Sequence, residues 1–316
     1  MITKKGYDCL DAATCHHEGE HLFSIWRNTE TKEVLALRHR RDNLSETLAI
    51  KLRGKSSVKN SIYKVLPDQL KTLEVEKETK YFSQSHFIIK VTDPITKESK
   101  KLNLELRHFY QEFVAVKEFN GSLVLCFVCF EDEQFLAPIG VTLVVLNSEL
   151  KMVNERTHLL GKMEISSFYN GTIDQFYRPI MVNYFCASAN ETDIGVLLEE
   201  NSADPWLFNF SLDTLDLTNA MKLVPQKGGF GYIRKMSYRD GDSTVNLLSG
   251  NWTIFEIDLS TGMEVGCEQY ELTAEKIPYV LYWDKKWIAG GNYGRLGKLQ
   301  NNAVDFILSL ISEEQI

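Results

Sequence analysis

The sequence predicts an all-β chain assembled from about six four-stranded antiparallel units. Three observations lead there. Short apolar or alternating runs of about five to nine residues return with a period of about 45 to 65 residues. A polar hairpin of similar composition recurs between such runs. No stretch of about 18 or more apolar residues interrupts the pattern.

The units follow in chain order. Strand material at Tyr7–Thr14 precedes a first hairpin, Ile25 to Val34, and a second hairpin lies at Val91 to Lys100. Between them, Val58, Ile62 and Leu66 stand at helical spacing, so residues 57–66 read as a helical turn as readily as a strand. The clearest copy runs from Phe113 to Leu160, with strands at Phe113–Phe119, Ser122–Phe130, Gly140–Asn147 and Leu150–His158. Its first turn is Asn120-Gly121, and Asn-Gly between apolar runs is a strong hairpin signal because both central residues need positive φ. A hairpin at Phe208 to Leu215 closes the next unit. Another clear copy spans Tyr232 to Leu272, with strands at Tyr232–Tyr238, Thr244–Ser249, Thr253–Leu259 and Glu264–Tyr270. The last block, Pro278 to Ile316, offers two strands and one apolar run, Ala303–Ile311, but no closing hairpin. It reads as an incomplete unit, which the amino-terminal strand completes.

Several segments carry a resemblance. Tyr282 to Gly294, with Gly290-Gly291, resembles the Kelch-type strand that ends in Gly-Gly, and Phe255 to Gly262 resembles the outer hairpin of several propeller families. Val91 to Ser99 is similar to a segment of F-box-associated propeller-like domains. The WD-repeat signature is absent, since the single Trp-Asp dipeptide, Trp283-Asp284, sits in a turn. The resemblance is to degenerate β-propeller repeats, Kelch-like or WD-repeat-like, with no specific family. It implies one β-propeller domain over residues 1–316, of six blades or, on a longer count, seven, with the two termini sharing a blade. Such closure removes the exposed sheet edge. A pair of β-sandwiches is the structural rival, and a period near 50 residues argues against it.

Composition is that of a globular chain, with 44% hydrophobic and 25% charged residues. No apolar stretch of signal-peptide length follows Met1, and six cysteines are few for 316 residues, so a cytoplasmic or nuclear protein with reduced thiols and no membrane insertion is expected. The net charge of −8 argues against generic binding to nucleic acid.

Candidate chemistry is thin. His17-Glu18-Gly19-Glu20-His21 matches the letters of a zinc-protease helix, but Gly19 and the absence of an apolar stripe point to a polar inter-strand loop. Cys126 and Cys129 lie three apart in an apolar strand, on opposite faces, and read as buried structural thiols. Arg53 to Ser57 fails as a phosphate loop, because Ala49 stands where the first glycine belongs. Lys227 to Ile233 resembles the aromatic strand of an RNA-recognition motif without its βαββαβ order. No catalytic residue, metal ligand or cofactor is assigned.

Charge says more. Residues 179–221 contain no Lys or Arg but include Glu191, Asp193, Glu199, Glu200, Asp204, Asp213 and Asp216, whereas Arg38, Arg40, Arg41, Lys51, Arg53, Lys55, Lys59 and Lys64 make the early units basic. Such polarity orients encounters with a partner. Aromatic and basic residues also meet beside glycine at 229–235 and 291–295. The candidate partner-binding residues are therefore Arg38, Arg40, Arg41, Phe230, Tyr232, Arg234, Tyr293 and Arg295. The expected function is a non-catalytic protein–protein interaction platform, a subunit or adaptor for a protein or peptide partner. The alternative is a propeller enzyme or small-ligand binder with its site over a central channel.

Overall fold

A computed structural model describes residues 7–15, 21–28, 30–40, 47–53, 61–81, 84–107, 110–130, 138–160, 185–198, 205–231, 233–238, 243–249, 253–269, 279–283, 286–291, 295–300 and 303–305. Among them the chain is all strand and turn. The strands are β1 Tyr7–Cys15, β2 His21–Asn28, β3 Val34–Arg40, β4 Thr47–Arg53, β5 Ser61–Leu66, β6 Lys71–Tyr81, β7 Gln84–Thr92 and β8 Ser99–Arg107. There follow β9 Tyr110–Phe119, β10 Ser122–Phe130, β11 Pro138–Leu146, β12 Met152–Leu159, β13 Phe185–Ala189, β14 Asp193–Leu198, β15 Trp206–Ser211 and β16 Leu217–Lys222. The last are β17 Ile233–Tyr238, β18 Thr244–Ser249, β19 Thr253–Asp258, β20 Glu264–Gln269, β21 Tyr279–Trp283, β22 Lys286–Gly291, β23 Arg295–Gln300 and β24 Ala303–Asp305. Each consecutive four form one sheet, with strands adjacent in chain order, so the described residues make six four-stranded sheets. The paired registers are antiparallel throughout these sheets. This is the blade unit of a β-propeller.

The backbone divides into two compact units, one of residues 1–78, 87–104 and 270–316, the other of residues 79–86 and 105–269. In the second unit the first strands of successive sheets lie side by side, β13 between β9 and β17. In the first unit β1 lies between β5 and β21 in the same way. First strand against first strand is the arrangement of blades packed face to face.

The cores show why. In the β13–β16 sheet, Ile194, Val196, Leu198, Phe208 and Phe210 join one cluster with Val124, Cys126, Val128 and Phe130 of β10. Leu197 and Leu207, on the opposite face, join another with Val245, Leu247 and Ile257. The strand period of two thus feeds two cores from one sheet, and strands buried on both faces become continuous apolar runs. Each large aliphatic or aromatic side chain so buried contributes about 1.5–3 kcal/mol. In the first unit, Phe23, Ile25, Val34 and Ala36 pack with Tyr63 and Val65 in a similar cluster.

First strands are further stitched by side chains. Asp11 of β1 accepts the Val65 amide of β5 at 2.8 Å, and Lys64 stands 3.6 Å from the same carboxylate. Ser188 of β13 accepts the Tyr238 amide of β17 at 3.4 Å. The segment after β16 reaches outward instead: Val224 makes a parallel bridge to Met263, and Gln226 bonds Glu264 through both its amide and its side chain.

One turn is used four times. It is Asn28-Thr-Glu-Thr-Lys-Glu33, Asp93-Pro-Ile-Thr-Lys-Glu98, Ser211-Leu-Asp-Thr-Leu-Asp216 and Asp258-Leu-Ser-Thr-Gly-Met263. In each, the first side chain accepts the amides of the third and fourth residues. The threonine hydroxyl accepts the amide of the sixth. The fifth residue donates back to the first carbonyl and takes positive φ: 59° at Lys32, 63° at Lys97, 59° at Leu215 and 72° at Gly262. Short side-chain acceptors and threonine therefore close the loop without glycine in three copies.

The structure corrects several expectations. The termini do not share a blade: β1 belongs to a complete β1–β4 sheet, and β21–β24 form their own. The closing strand was hidden because only Asn301 and Asn302 separate β23 from a three-residue β24, and Arg-Leu-Gly-Lys-Leu-Gln has little strand patterning. Ala303–Ile311 is a strand only to Asp305, and the rest lies outside the described residues. Ser61–Leu66 is a strand, not a helical turn, with Tyr63 and Val65 buried together at period two. The hairpin from Ile25 to Val34 joins the second and third strands of its sheet, whereas the other three six-residue copies join the third and fourth.

Candidate functional site

The first unit holds a small, open surface cleft lined by Phe23, Arg38, Ile50, Leu70, Pro94 and Ile95. Five chain segments build it. Phe23 of β2, 2% exposed, and buried Pro94 form its floor, with Leu70 from the β5–β6 turn at φ 52°. Arg38 of β3 and Ile50 of β4 are half-buried on the wall. Ile95 stands 57% exposed at the rim.

The Ile95 side chain is held outward by the turn chemistry. Asp93 Oδ1 accepts the Ile95 amide at 2.8 Å and the Thr96 amide at 3.0 Å, while Lys97 donates to the Asp93 carbonyl at 2.9 Å. Pro94 presets φ at the second position. The third position is occupied by Glu30, Asp213 and Ser260 in the other copies, and by Ile95 here. A position that this turn turns to solvent thus carries an apolar side chain beside a cleft. Exposed Lys97, Lys100 and Lys101 follow on the same hairpin and strand. Glu33, on the neighbouring sheet, pairs with Lys51.

The sequence-predicted residues fare unequally. Arg38 lines the cleft. Arg40 ends β3 and Arg234 and Arg295 lie on β17 and β23, but their side chains fall outside the described residues, as do Arg41, Tyr232 and Tyr293 entirely. Phe230 is 3% exposed and meets the Phe255 ring edge-on at 5.0 Å, which makes it core rather than contact surface. Gly228 and Gly231 flank it at φ 69° and 65°, outside any strand, so residues 227–231 are not a base-stacking strand. The missed residues are Phe23, Ile50, Leu70, Pro94 and Ile95. Aligning the four hairpins and asking which third position is apolar would have found Ile95.

The other motifs resolve structurally. His21 opens β2, paired with Cys15, and residues 16–20 lie outside the described residues. Arg53 ends β4, and 54–60 likewise lie outside them. Cys126 and Cys129 are both fully buried, on opposite faces of β10; Cys126 joins the inter-sheet core and Cys129 Sγ lies 3.1 Å from Thr142 Oγ1. Burial pushes both thiols up, Cys129 to about 12, which makes them inert as nucleophiles. No helix among the described residues is long and apolar enough to cross a membrane.

No family model matches the sequence, and no curated protein matches it. A solved structure described as "Structure of Dos1 propeller" resembles this chain with a TM-score of 0.48 and 9% identity, over 99% of this chain and 86% of that one.

Proposed function

We propose that the protein is a non-catalytic interaction module of the cytoplasm or nucleus, residues 1–316 forming one propeller domain, that seats a partner protein at the cleft between β2–β4 and the β7–β8 hairpin. One observation carries this reading: Ile95, 57% exposed on a rigid turn, where the sister turns place Glu, Asp and Ser. A lone exposed apolar residue is ordinary, but one on a turn closed by five backbone and side-chain hydrogen bonds beside a cleft is a pre-organised contact. The apolar centre beside an arginine matches the make-up of binding hot spots.

The test is comparative capture with the full chain from its native cells, quantified by mass spectrometry. Ile95→Glu is expected to remove a specific set of captured proteins while leaving the melting temperature unchanged. Asp213→Ala, at the matching position of another hairpin, is expected to retain that set. Equal capture by both variants would refute the assignment.

A further inference from the structure

We draw no further inference here: the strongest candidate, the exposed apolar patch of Val224, Met263 and Val265 where the segment after β16 bridges to the outer edge of β20, is an unpartnered surface, and nothing in the structure shows what covers it.

Discussion

Gly195→Ala tests the packing between the β13–β16 and β17–β20 sheets. A Cβ built on Gly195 would overlap the Tyr238 hydroxyl and stand 2.8 Å from Tyr238 Cζ and 2.9 Å from Cε2. The ring cannot swing aside easily: Tyr238 is 7% exposed and its hydroxyl donates to Asn209 Oδ1, itself 9% exposed. Overpacking costs about 1–3 kcal/mol, and displacing the hydroxyl leaves a buried acceptor unsatisfied for another ~1–3 kcal/mol. A loss of about 3–4 kcal/mol is expected, a large share of the 5–15 kcal/mol typical of a folded protein. Tyr238→Phe alone forfeits only the hydrogen bond, for about 1–2 kcal/mol. In the double variant the atom that collides first is gone, so the combined loss falls short of the sum by about 1 kcal/mol or more. Urea unfolding of the four proteins, with m held constant, measures this. Additivity within about 0.5 kcal/mol would show that Gly195 and Tyr238 do not meet as described.

Two further predictions follow from the backbone and from buried thiols. Gly121 and Gly262 both take positive φ, 74° and 72°, but a Cβ at Gly121 meets nothing within 4 Å whereas one at Gly262 lies 2.5 Å from the Lys222 carbonyl. Alanine at 121 is expected to cost about 1 kcal/mol, and at 262 about 2–4 kcal/mol with loss of the Val224–Met263 bridge, read from unfolding curves and amide exchange at Val224. Equal costs would refute the close approach. The raised thiol pKa values predict alkaline instability. Cys129 contributes stability that is full below pH 9.0, its ordinary value, and is lost as pH rises toward about 12, worth about 4 kcal/mol at the upper end. Burial raises the Tyr238 hydroxyl as well, with the same sign. Cys129→Ala should therefore flatten the stability profile between about pH 9 and 12, and a profile as steep as the parent's would contradict the burial.

Strands buried on both faces were legible in the sequence because they are almost entirely apolar. β10, Ser-Leu-Val-Leu-Cys-Phe-Val-Cys-Phe, is buried from its second residue onward. Fourth strands were read from their hairpins instead, since β12 and β16 are almost wholly exposed and keep no apolar alternation. Where the hairpin was also unfamiliar, as before β24, the strand was missed and the termini were wrongly made to share a sheet. The bulge between Cys9 and Asp11 similarly disturbs the alternation of β1. Charge singles out Arg38, but nothing local points to the cleft it lines: that lining comes from β2, β3, β4 and two turns, and no local pattern announces where such segments converge. Phe230 was misplaced for a related reason. Its glycine neighbours suggest exposure, while the Phe255 ring that covers it lies 25 residues away in sequence.

The position of β1 between β5 and β21 has a temporal consequence. As the ribosome extends the chain, β1 and β5 appear early, but β21 emerges only after most of the chain has been made. At about 5–20 residues per second that interval is roughly 15 to 50 seconds. During it one flank of the first sheet lacks its neighbour, and the earliest blade is the last to be enclosed. The nascent protein therefore passes through a prolonged stage with apolar surface uncovered, which is the stage a chaperone would recognise and at which aggregation competes with folding.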